Sequence, residues 1–166
     1  KMGEEKFRIH KVGAPQLDDI KKKQIKKNYK VKNFDLRKIK YFVILQHSVF
    51  KDKKSYSRIF VNTLKASLKF DHKIFVIYPN YDPGYKSIIL LIKNFQKKYP
   101  NKIQIFKHLD RKSFLSLIFY SSSFIGNSSS GILESPSLNI GTVNIGDRQE
   151  GREQNKNIFN TNYTKK

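Results

Sequence analysis

The sequence contains no cysteine, so disulfide bridges and thiolate-bound zinc are both excluded. Histidine is also scarce. The four copies, His10, His47, His72 and His108, are scattered along the chain, and neither a protein-held metal nor another cofactor is expected. No apolar run approaches the roughly 18 residues needed to cross a bilayer, and no apolar signal-peptide segment opens the chain. A cytoplasmic protein with no membrane partner is the expectation. Acidic residues number 13 against 34 basic ones, a formal net charge of +21 that would ordinarily suggest a nucleic-acid partner. Arginine, however, supplies only six of the 34. Base readout and bidentate phosphate recognition lean on arginine, whereas lysine spread among Asn, Ile and Phe reads as a bias of the whole composition. Nucleic acid is therefore not the expected partner.

What is present is a chain of 166 residues, 38% hydrophobic, enough for one core. From Tyr41 onward, short apolar runs alternate with helical patterns. Tyr41 to Leu45 is a continuous run of buried parallel-strand type, followed by helical spacing through Ile59, Phe60, Leu64 and Leu68. Lys73 to Tyr78 precedes the turn-rich Pro79 to Gly84 and a helix over Ile88 to Tyr99. Lys102 to Phe106 pairs with a helix over Lys112 to Tyr120, and Phe124-Ile125 with a helix after Ser129 that Pro136 should bend or interrupt. Thr142 to Ile145 is expected as the final strand. This rhythm predicts an α/β, Rossmann-like parallel sheet with helices on both faces over residues 39–166. Residues 1–38 do not share it. Gly13-Ala14-Pro15 is a breaker, Asp18 to Lys30 a charged helix and Lys30 to Lys38 a polar connector, together an interdomain lead-in segment. Lys1 in place of Met, and Asn162 to Lys166 with no closing helix, suggest a piece of a longer protein.

Ligands of such sheets sit outside the carboxyl ends of the strands. Polar residues fall there after each strand: His47, then Asn80 and Asp82, then His108, then Asn127 to Ser130, then Arg148. The turn Gly126-Asn127-Ser128-Ser129-Ser130-Gly131 joins a strand to a helix, which aims backbone N–H groups and the positive helix end at an anion. It reads as a diphosphate cradle. The sequence holds no Walker A loop, dinucleotide fingerprint or G-x-S-x-G elbow, so those chemistries fall away.

Each candidate also has an ordinary reading. Ser128 and Ser129 suit any tight turn, but this turn faces the ligand edge. Glu134, expected in the first helical turn, would complement the helix dipole, yet a capping box from Ser130 needs Glu at 133, which is Leu. Glu134 is then available to a ribose diol. His47, between Gln46 and Ser48, is either a half-buried structural histidine or a pyrophosphate or proton-transfer group. Arg148 is a bidentate phosphate arm or one half of a surface salt bridge. Asn80 lies between two prolines, where turn chemistry alone would explain it.

Taken in order, Met2-Gly3-Glu4, Val12 to Asp18, Leu45-Gln46-His47, Tyr78 to Asp82, Ile125 to Gly131, and Asn144 to Gln149 with Gly151-Arg152 resemble the carboxy-terminal half of UDP-N-acetylglucosamine 2-epimerases. The Asn-Ser-Ser-Ser-Gly and Asn-Ile-Gly-Asp-Arg-Gln forms are similar to the hydrolysing branch, which serves sialic acid-type sugar synthesis. The resemblance implies a two-domain, glycosyltransferase-B-like fold, with this chain as the UDP-holding half and a separate amino-terminal domain as its partner. It implies Ser128 and Ser129 at the diphosphate, Glu134 at the ribose, Arg148 and His47 in the phosphate region, and Asn80 on the nucleotide side. His108 joins them as a substrate-binding candidate and His47 as the catalytic candidate. The implied chemistry is elimination of UDP by proton abstraction at C2, then addition of water to the glycal. The carboxylates for those steps would lie mostly in the other domain, so this half alone would be inactive. Two departures stand out: Ser48 and Gly141 replace prolines usual in the family, and Ser48 is expected to loosen the turn at His47.

The expected function is thus the UDP-binding half of a hydrolysing UDP-sugar 2-epimerase, a homo-oligomer when full length. A glycosyltransferase of the same fold would share the cradle but transfer the sugar. A basic RNA-binding module would show salt-dependent RNA affinity indifferent to Ser129 and Glu134.

Overall fold

The computed structural model describes residues 3–20, 22–49 and 53–161. Met2 and the closing Asn162 to Lys166, on which parts of the sequence reading rest, lie outside the described residues. Helix α1 (Lys22–Lys27) and the short strands β1 (Lys30–Val31) and β2 (Phe34–Asp35) lead into the alternating series. The series runs β3 (Tyr41–Leu45), α2 (Lys53–Ser67), β4 (Lys73–Ile77), α3 (Tyr85–Lys98), β5 (Ile103–Phe106), α4 (Arg111–Phe119), β6 (Ser123–Gly126), α5 (Ser130–Ser137), β7 (Thr142–Ile145) and β8 (Ile158–Thr161). Strands β3 to β8 form one sheet in the order β5-β4-β3-β6-β7-β8, every pair parallel. This is the doubly wound order, and it is the α/β architecture the alternation predicts.

The period of two along each strand divides the core into two layers. Tyr41, Val43, Phe75, Phe106 and Phe124 point to one face, where Leu115, Leu117 and Ile118 of α4 and Leu138 at the end of α5 cover them. Ile44, Ile74, Val76, Ile103 and Ile105 point to the other, beneath Phe60 and Leu64 of α2 and Ile88 and Ile92 of α3. Tyr41 is fully buried on the first face; its hydroxyl donates to the Leu117 carbonyl at 2.8 Å, and burial pushes its pKa upward.

Four expectations are corrected. Thr142–Ile145 is not the last strand, because β8 pairs with β7 through Thr142↔Ile158 to Ile145↔Thr161. Strand β8 is exposed along most of its length and carries Asn and Thr, so no apolar run announces it. The stretch from Lys30 to Lys38 is not a plain connector: β1 and β2 form a hairpin turned by Lys32 and Asn33, with Lys32 in the left-handed region at φ 52°. Ile25, Val31 and Leu36 are buried in the α4 layer, and the charged helix before them shrinks to the six residues of α1. Nor does Pro136 interrupt α5, which runs through it and ends one residue later. A proline so close to a helix end removes little of the hydrogen-bond ladder.

Candidate functional site

Strands β3 and β6 are neighbours whose crossovers leave toward opposite sides, α2 on one face and α5 on the other. The crevice this opens is the switch point where doubly wound sheets bind ligands. Gly126 closes β6 opposite Leu45 with φ 140°, and a Cβ there would lie 2.0 Å from the Leu45 carbonyl oxygen. Only glycine permits that approach. Beyond it the side chain of Asn127 continues the ladder in place of the backbone, accepting from the His47 N–H at 2.7 Å and donating to the His47 carbonyl at 3.0 Å. The two loop starts are thereby fixed to each other. The Asn127 carbonyl in turn accepts from Arg148 Nη1 at 3.3 Å and Gln149 Nε2 at 2.8 Å, so the loop after β7 is tied to the same point.

His47 is buried, and its Nδ1 accepts from the Asn80 backbone N–H at 3.1 Å. A backbone N–H can only donate, so the neutral ring carries its proton on Nε2. Burial, reinforced by Arg148 and opposed by Asp82, lowers the His47 pKa to about 4. The imidazole is therefore uncharged at neutral pH, and its 3.8 Å approach to Asp82 is not an ion pair. Asp82 belongs instead to Arg148, at 3.4 Å, and orients the guanidinium. Ser48 does not loosen this turn. It is buried, its hydroxyl donates to the Asp82 carbonyl at 3.3 Å, and it packs 3.4 Å from the position of a Cβ on Gly84. The hydroxyl thus supplies a bond that a proline could not.

These elements enclose a cleft of about 730 Å³, the size of small-molecule sites. Six of the seven residues singled out in the sequence line it: His47, Asn80, His108, Ser128, Ser129 and Arg148. Ser129 is the N-cap of α5 and makes no side-chain cap bond to its own helix. Tyr78, Ile89, Leu109 and Phe114 give another part of the wall an apolar character. The cleft thus brings Arg148, His47 and the start of α5 together with an aromatic ring and aliphatic side chains.

Glu134 is the exception. It is the fifth residue of α5, past the first turn where it was expected, and it is buried outside the cleft lining with Oε1 2.7 Å from Arg111 Nη1. Sequence reasoning missed Arg111, and it passed over the structural work of Asn127, Asp82 and Gln149. An Asn directly after a strand-ending Gly, and an Asp in the turn facing an Arg at another strand end, were the signals on offer. Among the described residues no helix is long and apolar enough to cross a membrane.

The family model described as UDP-N-acetylglucosamine 2-epimerase matches residues 1–166, the whole chain. This chain belongs to the UDP-N-acetylglucosamine 2-epimerase family. Among relatives of the family, the UDP-N,N'-diacetylbacillosamine 2-epimerase (hydrolyzing) of Legionella pneumophila is 32% identical over 99% of this chain and 44% of its own length. The UDP-N-acetylglucosamine 2-epimerase of Neisseria meningitidis serogroup B is 30% identical over 99% of this chain and 43% of its own. The chain thus spans less than half the length of these epimerases. In fold it is similar to the Methanocaldococcus jannaschii UDP-GlcNAc 2-epimerase solved in complex with UDP-GlcNAc and UDP, with a TM-score of 0.61, 18% identity, and coverage of 85% of this chain and 41% of that one.

Proposed function

We propose that this chain is the UDP-holding half of a hydrolysing UDP-N-acetylglucosamine 2-epimerase, releasing an N-acetylmannosamine-type sugar and UDP. The observation that carries the reading is the switch-point cleft, where Arg148, an uncharged His47 with its proton on Nε2, and the Ser128-Ser129 start of α5 face one space. That set suits a diphosphate leaving group. Arg148 supplies the full charge, held in place by Asp82 and the Asn127 carbonyl. His47 and the helix end supply neutral donors, which stabilise developing negative charge by hydrogen bonding without transferring a proton. Phe114 and Leu109 offer the apolar surface a nucleobase requires.

In this scheme a base removes the C2 proton, the C1–O bond breaks with its electron pair leaving on UDP, and the resulting glycal takes up water, its C2 receiving a proton on the opposite face. The base and acid would come from the other domain. His47 acts here as a phosphate donor rather than as the base, since Nδ1 is occupied and Nε2 carries the proton. The relatives named as hydrolysing, together with the Asn-Ser-Ser-Ser-Gly and Asn-Ile-Gly-Asp-Arg-Gln segments, support the hydrolysing branch over simple epimerisation. With the complete protein in heavy water, UDP-N-acetylglucosamine should give UDP and a free 2-epimerised sugar carrying one deuterium at C2. A 2-epimer still attached to UDP, or a glycoside formed on an acceptor, would contradict the reading.

A further inference from the structure

Arg111 has no part in the scheme above, yet its guanidinium makes four hydrogen bonds close to the cleft. It opens α4, where a cation meets the positive end of the helix, so the helix itself gives no reason for an arginine. Its partners do. Nε and Nη2 form a fork on Asp19, at 3.1 and 3.2 Å, Nη2 also donates to the Gln16 carbonyl at 2.6 Å, and Nη1 donates to Glu134. One guanidinium therefore joins residues 16–19, the start of α4 and the middle of α5. Only the planar five-donor fork of arginine reaches three such directions at once. Neither Arg111 nor Glu134 lines the cleft itself, but both adjoin it along the chain, since Leu109 and Phe114 on either side of Arg111 line it, as do Ser128 to Ser130 ahead of Glu134. Glu134 is buried and needs a counter-ion. Arg111 provides it through Oε1, which fixes the direction in which the second carboxylate oxygen is offered.

The geometry points to Arg111 as a positioning residue of the nucleotide site: it sets Glu134 to receive a ribose diol and ties that setting to the docking of residues 16–19. This inference rests on reading the cleft as a UDP site. Its test compares UDP with 2′-deoxy-UDP by calorimetric titration of the 166-residue chain, in wild type, Arg111→Met, Arg111→Lys and Glu134→Gln. Wild type should prefer UDP by about tenfold or more, the loss expected when a charged acceptor goes unpaired. Arg111→Met should collapse the preference toward unity, as Glu134→Gln does, with affinity for 2′-deoxy-UDP unchanged, and Arg111→Lys should fall between. Amide exchange should quicken at residues 16–19 in Arg111→Met.

A preference that survives in Arg111→Met would overturn the inference and leave the UDP site standing. Equal weakening of both nucleotides in the Met and Lys variants would mark a purely structural role and overturn it too. Wild-type chain that binds both nucleotides alike removes the diol contact and the inference together. Binding of neither by folded chain would overturn the UDP reading itself.

Discussion

His47 shows how a single residue can be located in the sequence while its state is not. Its place after an apolar strand was legible, because parallel α/β sheets put strand ends at the ligand edge. Its protonation was not, since that depends on Asn80 and Arg148, which lie on other strand ends. With the folded pKa lowered to about 4 from an ordinary 6.5, the unfolded chain takes up a proton in that interval that the folded chain refuses. Stability contributed by the neutral ring is complete above about pH 6.5 and is lost as the pH falls toward 4, a loss on the order of 3 kcal/mol. Urea unfolding at pH 7 and pH 4.5 should show wild type losing roughly 2–3 kcal/mol more than His47→Gln. Equal losses would mean the ring protonates freely in the fold. The pairing of Glu134 with Arg111 was hidden for a similar reason, since nothing in local sequence announces a contact 23 residues apart that depends on how α4 packs beside α5.

Among the elements, those with an apolar run or a helical period were legible, and those stabilised by pairing alone were not. Strands β3 and β4 are buried on both faces and carry near-continuous apolar runs, and β5 carries one broken only by Gln104. Strand β8 has Phe159 64% exposed and Asn160 hydrogen-bonded to Asn144 and Gln154, so it forms by register with β7 rather than by its own hydrophobicity. The hairpin of β1 and β2 likewise hides two core residues among lysines. The site depends most on how closely β6 approaches β3. Gly126→Ala would force a Cβ against the Leu45 carbonyl in a backbone conformation L-residues avoid. We expect a destabilisation of about 3 kcal/mol or more, read by thermal or denaturant unfolding, whereas Gly141→Ala, which meets nothing within 4 Å, should be nearly neutral. Similar costs for the two would contradict the switch-point packing described here.

For the whole molecule, the net charge of +21 attracts any anion at low ionic strength, so a nucleotide site must be distinguished from a general basic surface. Salt at about 0.15 M, where the screening length is roughly 8 Å, suppresses the second more than the first. Under that condition the decisive measurement is calorimetric titration of the folded chain with UDP, in parallel with Ser129→Ala and Arg148→Ala. Saturable binding of about one UDP per chain, weakened at least about tenfold by Arg148→Ala and measurably by Ser129→Ala, is the predicted result. Binding indifferent to both substitutions, or no binding by folded chain, would contradict the placement of UDP in the switch-point cleft.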